Sequence, residues 1–140
     1  MGQTAVDSSQ AVGEALYSLV IAAIRGRARE ISLTSASALS TLSRTGPLRL
    51  TDLATAEGIA QPSMTTLVTG LERNGLVERR QDPNDRRVVL VALTDVGHDY
   101  LRRRRKTGAD RFTALIDQLS EEDQAALVAA LPALHHLEES

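Results

Sequence analysis

Residues 61–75 read QPSMTTLVTGLERNG, and the reading of this stretch decides the fold. Met64, Leu67, Val68 and Leu71 fall at i, i+3, i+4 and i+7, which predicts a helix with one apolar stripe. Pro62 suits the first helical turn, where its missing N–H is not needed. Gly75 suits the left-handed stop after the last turn. The residues off the stripe are Gln61, Ser63, Thr65, Thr66, Thr69 and Arg73. Short polar side chains at a helix N-terminus approach base edges and phosphates closely, and the N–H groups there add the positive end of the helix dipole. With Pro62, these residues form the candidate nucleic-acid-facing set. Taken alone, the stretch reads equally well as a solvated surface helix, so its neighbours decide.

Immediately upstream, Thr51 is placed to cap a short helix with Asp52 in its first turn, Leu53 and Ala54 facing inward, and Gly58 as its stop. Two short helices joined by Gly58-Ile59-Ala60 make a helix-turn-helix pattern. Downstream, Leu76–Arg80 and the β-rich Val88–Leu93 flank Asp82-Pro83-Asn84-Asp85-Arg86-Arg87, a turn-forming segment. This predicts a two-stranded hairpin with an arginine-bearing tip.

Further out lie longer helices. Met1–Gln10 is small and polar and reads as a frayed end. A helix is expected from Ala11, with Val12, Leu16, Leu19, Val20 and Ala23 as its stripe, Ile24 beside it, and a charged end at Arg25, Arg27, Arg29 and Glu30. Leu33–Thr45 reads as a second helix, capped by Thr34 or Ser35, with Ala38, Leu39 and Leu42 inward and Gly46-Pro47 as its end. Leu48–Leu50 is a very short extended piece. After the hairpin, Thr94 caps an exit helix running from about Asp95 to Leu119, with Gly108 as a weak point or bend. Ser120 caps a final helix whose Leu127, Val128, Leu131 and Leu134 are apolar at helical spacing, and Pro132 is expected to kink or break it. The organisation is thus an N-terminal helix (1–31), a central lobe (32–94) and two C-terminal helices (95–140).

Composition bounds the function. The chain has 140 residues, a formal net charge of −2 and no cysteine, which excludes disulfides and thiolate metal sites. The charge is uneven. Leu76–Lys106 carries nine basic and five acidic residues, a net of +4, while the stretch from Ser120 holds five acidic residues and no Lys or Arg. A local basic face matters more for phosphate contact than the whole-chain sum. The run Arg102–Lys106 reads first as a solvated face and second as nonspecific phosphate attraction. No apolar stretch approaches the roughly 20 residues of a membrane span, and no signal-peptide pattern stands at the start, so a soluble cytoplasmic protein is the expectation. No catalytic constellation appears and no cofactor is implied. His135-His136 with Glu138 and Glu139 is a poor metal site, since adjacent helical histidines point about 100° apart.

Leu50-Thr51-Asp52-Leu53-Ala54, the Gln61–Thr69 helix, Leu71-Glu72-Arg73-Asn74-Gly75-Leu76-Val77-Glu78-Arg79, Asp82–Arg87 and Val91-Ala92-Leu93-Thr94-Asp95-Val96-Gly97 follow one another in an order that resembles the MarR (multiple antibiotic resistance regulator) family. The links LERxGLVER, DPxDRR and LTxxG are its most specific parts. The resemblance implies a mainly α fold with a small β-hairpin wing: a winged helix-turn-helix whose N- and C-terminal helices intertwine in a homodimer. The dimer would cover the stripes of Val12, Leu16 and Leu19 and of Leu127, Leu131 and Leu134. It implies a transcriptional regulator, a repressor bound to a pseudo-palindromic double-stranded DNA operator, with no enzymatic activity. Its recognition helix would lie in the major groove, with base contacts from Ser63, Thr65 and Thr66. Arg87, two residues after Asp85, would reach the minor groove, with Arg86 a second candidate. Release by a small aromatic or phenolic effector is common in such proteins, and Tyr17, Arg44 and His98 are the candidate pocket residues. Gly70 departs from the family, which usually has a longer side chain there. The competing reading is a winged-helix protein-interaction module without DNA activity.

Overall fold

The computed structural model describes residues 2–25 and 31–140. Its elements are α1 (Gly2–Arg25), α2 (Leu33–Thr45), β1 (Leu48–Arg49), α3 (Leu50–Glu57), α4 (Gln61–Arg73), β2 (Val77–Gln81), β3 (Val89–Leu93), α5 (Asp95–Ile116) and α6 (Glu121–Glu138). The expected charged end at Arg27, Arg29 and Glu30 lies outside the described residues.

The central lobe holds the core. Ala38, Leu39 and Leu42 of α2, Leu53 and Ala54 of α3, and Met64, Val68 and Leu71 of α4 pack with Leu76, Val77, Val91 and Leu93. The three helices therefore bury the stripes their spacing predicts. Each large apolar side chain buried contributes roughly 1.5–3 kcal/mol. Tyr100 and Leu101 of α5 pack against this cluster from outside, which joins the exit helix to the lobe.

The hairpin is one strand richer than the sequence suggests. β1 pairs with β3, and β3 with β2, so the sheet has three antiparallel strands in the order β1-β3-β2. The short extended piece after Pro47 is thus a sheet edge, with Leu48 opposite Val91 and Arg49 opposite Leu90. As the central strand, β3 buries Val91, Ala92 and Leu93.

Glycine stops both helices of the helix-turn-helix. After α4, Gly75 adopts φ 72°, its N–H donates to the Glu72 carbonyl at 3.0 Å, and the Leu76 N–H donates to the Leu71 carbonyl at 3.0 Å. After α3, Gly58 adopts φ 65°, and the Ile59 N–H reaches the Ala54 carbonyl at 3.1 Å. Both ends form Schellman motifs that satisfy the last carbonyls and turn the chain sharply. Gly75→Ala is expected to lower the free energy of unfolding by about 1 kcal/mol, because a Cβ is disfavoured in the left-handed region. Urea denaturation checks it; an unchanged midpoint would mean that the turn relaxes at no cost.

Several helix boundaries differ from expectation. α1 begins at Gly2 rather than Ala11. Residues 2–10 contain no proline, and their small polar side chains bond along the helix, Ser8 to the Thr4 carbonyl at 2.9 Å and Gln10 to Glu14 at 3.0 Å. The cap of α2 is Ser32, whose hydroxyl accepts from the Ser35 N–H at 3.1 Å, rather than Thr34 or Ser35. α3 starts at Leu50, because strand pairing holds Arg49 extended, and Thr51 sits inside the first turn instead of capping it. α5 runs through Gly108 without interruption and ends at Ile116. α6 likewise continues through Pro132. One proline removes one intrahelical bond, and the turns on either side hold the helix together. The caps at Thr94 and Ser120 are as expected, accepting from Gly97 N–H at 3.1 Å and Asp123 N–H at 3.2 Å.

Candidate nucleic-acid interface

α4 presents two different faces. Met64 and Val68 are fully buried and Leu71 nearly so. Gln61, Pro62, Ser63, Thr65, Thr66 and Arg73 are exposed, and Thr69 is half-buried. At 100° per residue, Pro62, Thr66, Thr69 and Arg73 centre the face opposite the core, with Thr65 on one flank and Ser63 and Gly70 on the other. The threonine hydroxyls have local partners. Thr65, Thr66 and Thr69 donate to the carbonyls of Gln61, Pro62 and Thr65, one turn back, at 3.0, 3.3 and 2.9 Å.

The wing tip is built from the inside outward. Asp82 accepts the Asn84 N–H at 2.8 Å, an Asx turn that starts the reversal. The Asp82 N–H donates to the Val88 carbonyl at 2.9 Å and the Val88 N–H to the Asp85 carbonyl at 3.0 Å, closing the loop. Asp85 then holds Arg87 three ways. One carboxylate oxygen accepts from the Arg87 backbone N–H at 3.1 Å and from Nε at 3.0 Å, and the other accepts from Nη2 at 3.0 Å. This two-pronged arrangement is the geometry that planar guanidinium and carboxylate groups favour. The Arg87 side chain is nevertheless 90% exposed, so the pair orients it without covering it. Arg86 is exposed beside it.

The same contacts govern the charge. The Arg87 side chain, and next its backbone N–H, hold the Asp85 carboxyl below its ordinary value of 3.8, with a smaller contribution from Arg49 on β1. Asp85 in turn raises the Arg87 guanidinium. A depressed carboxyl stabilises the fold above its unfolded pKa and loses that contribution as pH falls through the folded value. The tip therefore keeps its ion pair through the neutral range.

Two further contacts fix the wing against the helix. Arg79 on β2 bonds Glu72 in the last turn of α4 at 2.6 Å. Thr94 donates its hydroxyl to the Gly75 carbonyl at 2.5 Å, and its N–H to the Leu76 carbonyl at 3.2 Å. The basic run on α5 is largely occupied with its own helix. Arg102 pairs with Asp99, Lys106 with Asp110 at 2.8 Å, and Arg104 reaches the Tyr100 hydroxyl at 3.3 Å. These contacts favour the solvated-face reading of the run.

Two residues whose contacts the sequence did not disclose also shape the site. The half-buried Glu57, at the end of α3, accepts from the buried Thr41 hydroxyl at 2.5 Å, tying α2 to the turn that precedes α4. Gly97 is the second. A Cβ there would lie 2.1 Å from the Leu76 carbonyl oxygen, so α5 rests directly on the link between α4 and the wing.

The other expected residues fall elsewhere. Tyr17 is exposed on α1, Arg44 lies in the last turn of α2 with its guanidinium 3.4 Å from the Thr41 hydroxyl, and His98 is exposed in the first turn of α5. Val12 and Leu19 of α1 and Leu127, Leu131 and Leu134 of α6 are exposed, and Leu16 is half-covered. α6 buries none of its residues in the single chain. Among the described residues no helix is long and apolar enough to cross a membrane.

Comparison with known proteins places this geometry. A model of the MarR family matches residues 31–89, which run from the approach to α2 through the start of β3. The HTH-type transcriptional regulator FarR of Neisseria gonorrhoeae is 32% identical over 99 residues, covering 71% of this chain and 68% of FarR. YkoM of Bacillus subtilis, named as an uncharacterized HTH-type transcriptional regulator, is 33% identical over 98 residues, a match that spans 70% of this chain and 64% of YkoM. A point mutant of Staphylococcus aureus MepR, solved bound to an oligodeoxyribonucleotide, superposes with a TM-score of 0.63 at 26% identity, over 76% of this chain and 79% of that one. The ordered links around α4 and the wing, the three-stranded wing sheet and these matches agree, and the chain belongs to the MarR family of winged helix-turn-helix proteins.

Proposed function

We propose that this protein is a homodimeric transcriptional repressor that binds a pseudo-palindromic operator, with α4 in the major groove and the wing in the adjacent minor groove. The observation that carries this reading is Arg87: exposed at the wing tip, held two-pronged by Asp85, on the same lobe as the polar face of α4. An arginine is favoured in a narrow minor groove by its enhanced negative potential. Gln61, Pro62, Ser63, Thr65, Thr66, Thr69 and Arg73 then face the major groove, and Arg86 is the second candidate for the minor groove. Relatives named as transcriptional regulators, and a structural neighbour solved with DNA, support a binder rather than an enzyme. The exposed stripes of α1 and α6 support a second copy as their cover.

The reading extends to release by a small aromatic or phenolic effector seated between the lobe and the dimer helices. Its support is the family resemblance, together with the packing of α2 on α5, the helices that carry Arg44 and His98.

Selection of bound duplexes from a random pool at near-physiological salt tests the central claim. The expected result is an enriched pseudo-palindrome with half-sites about one helical turn apart, roughly 34 Å. Salt-sensitive binding with no enriched sequence would defeat sequence-specific regulation, and no binding at low salt would favour the protein-interaction module. On the enriched duplex, Arg87→Ala is expected to weaken binding about tenfold or more. Its unfolding transition should stay close to the parent position, since an ion pair this exposed contributes little to stability. Unchanged affinity at moderate salt would remove the wing from the mechanism.

A further inference from the structure

We propose that α4 selects A·T base pairs by thymine-methyl contact, through the γ-methyl groups of Thr65, Thr66 and Thr69 beside the bare backbone at Gly70. The proposal rests on the DNA-binding reading above and names the base chemistry of that site.

A threonine hydroxyl has one hydrogen to donate and two lone pairs to accept with. In α4 all three hydroxyls spend that hydrogen on a carbonyl one turn back, at 3.0, 3.3 and 2.9 Å. What remains for an outside partner is a methyl group and acceptor lone pairs. Guanine shows the major groove two acceptors, N7 and O6, and such a surface has nothing to give them. Adenine shows the N6 amino donor, and its partner thymine shows a C5 methyl. An A·T pair also carries acceptors, adenine N7 and thymine O4, but it offers the threonines both a donor and a methyl, whereas a G·C pair offers only the cytosine N4 donor. The long donors of the helix, Gln61 and Arg73, sit at its first and last positions, one turn beyond the threonines at either end.

Gly70 supplies an independent observation. It follows Thr66 by one turn and is exposed. A Cβ built on it meets nothing within 4 Å, and it is not among the glycines with positive φ. Neither packing nor backbone conformation explains a glycine there, although glycine is a poorer helix former than alanine. A surface without a side chain, next to Thr66 and Thr69, lets a helix seat closely on the methyl-lined floor of a groove.

The test uses the full-length protein and the duplex enriched by selection, compared with the same duplex carrying deoxyuridine for thymidine in both half-sites. Deoxyuridine pairs identically and lacks only the C5 methyl. Affinity is expected to fall about fourfold for each methyl that α4 covers, the effect of removing one buried methyl group. Two double variants separate methyl from hydroxyl. Thr65→Val with Thr66→Val keeps the methyls and should retain the thymine-over-uracil preference. Thr65→Ser with Thr66→Ser keeps the hydroxyls and should reduce it to the part that Thr69 carries. Gly70→Ala is expected to raise the melting temperature while weakening binding to the thymine duplex. Equal affinity for the two duplexes, enrichment of G·C-centred half-sites, or a preference that survives in the serine pair and vanishes in the valine pair would each overturn the proposal. Any of these, with operator binding intact, leaves the regulator reading standing; absence of binding to every duplex would bring down both.

Discussion

Gly97→Ala is expected to lower the free energy of unfolding by about 2 kcal/mol, although alanine is the better helix former by about 1 kcal/mol. The reason is the distance beneath it. The added Cβ would sit 2.1 Å from the Leu76 carbonyl oxygen and 2.9 Å from a Leu93 methyl, and the nearer of these is backbone. A flexible side chain would swing aside, but the Leu76 carbonyl accepts the Thr94 N–H at 3.2 Å and follows directly on the Schellman turn of α4. Relief therefore requires α5 to lift from the link, stretching the Thr94 bonds to Gly75 and Leu76 together. Overpacking of this kind costs typically 1–3 kcal/mol, and each strained hydrogen bond adds about 1 kcal/mol. For a chain of this length the melting temperature should fall by roughly 5–10 °C, compared at equal protomer concentration because association contributes to stability. A variant that melts with the parent would show that α5 can shift at no cost. The same lift would tilt α5 relative to the recognition helix, so operator affinity should fall further than the unfolded fraction accounts for.

That contact was half legible in the sequence. Leu93-Thr94-Asp95-Val96-Gly97 is recognisable as a motif, and Thr94 as a cap follows from its position before Asp95. Why the motif ends in glycine does not follow, because the obstructing atom lies on Leu76, far away in sequence. The same division runs through the molecule. The limits of α4 were legible because Pro62 and Gly75 punctuate them and the apolar spacing between is regular. The turn-rich segment with Asp85 and Arg87 placed the wing tip. The third strand was not legible: two residues, Leu48 and Arg49, carry no periodicity, and only pairing with β3 makes them a strand. Three hydroxylated residues at 32, 34 and 35 compete to cap α2, and the choice of Ser32 depends on where the chain enters. Of the kink or break expected at Pro132, the break does not occur, because the turns on either side outweigh one missing bond. Local rules understated residues 2–10, whose small polar side chains hide a helix that lacks a strong stripe. The direction of the threonine hydroxyls in α4 is a matter of rotamer, which composition and spacing do not specify, and it changes what the helix can read.

On the proposed dimeric reading, Leu127→Glu with Leu131→Glu is expected to give a 15.1 kDa monomer and to lower affinity for the full pseudo-palindrome by about 10²- to 10⁴-fold. Leu127, Leu131 and Leu134 lie at i, i+4 and i+7 on α6 and remain 40%, 45% and 38% exposed in the single chain. Such a stripe, on a helix that buries nothing in its own chain, is the surface that the proposed dimer would cover. Each leucine covered there contributes roughly 1.5–3 kcal/mol, and each glutamate carries an unpaired charge into the interface at a cost of several kcal/mol. Because the substitutions touch no residue of the lobe core, the lobe should keep its fold and its contacts with one half-site. That separates the two consequences. Binding to a single half-site duplex should remain at the parent's level, while the gain from linking two half-sites disappears, since the second lobe no longer arrives at the high local concentration set by the first. Sedimentation and titration of half-site and full-site duplexes read both. A doubly substituted protein that still sediments as a dimer would take α6 out of the interface. A monomer that holds the full site as tightly as the parent would mean that one lobe supplies all the affinity, and the apolar stripes of α1 and α6 would then serve some purpose other than pairing recognition helices.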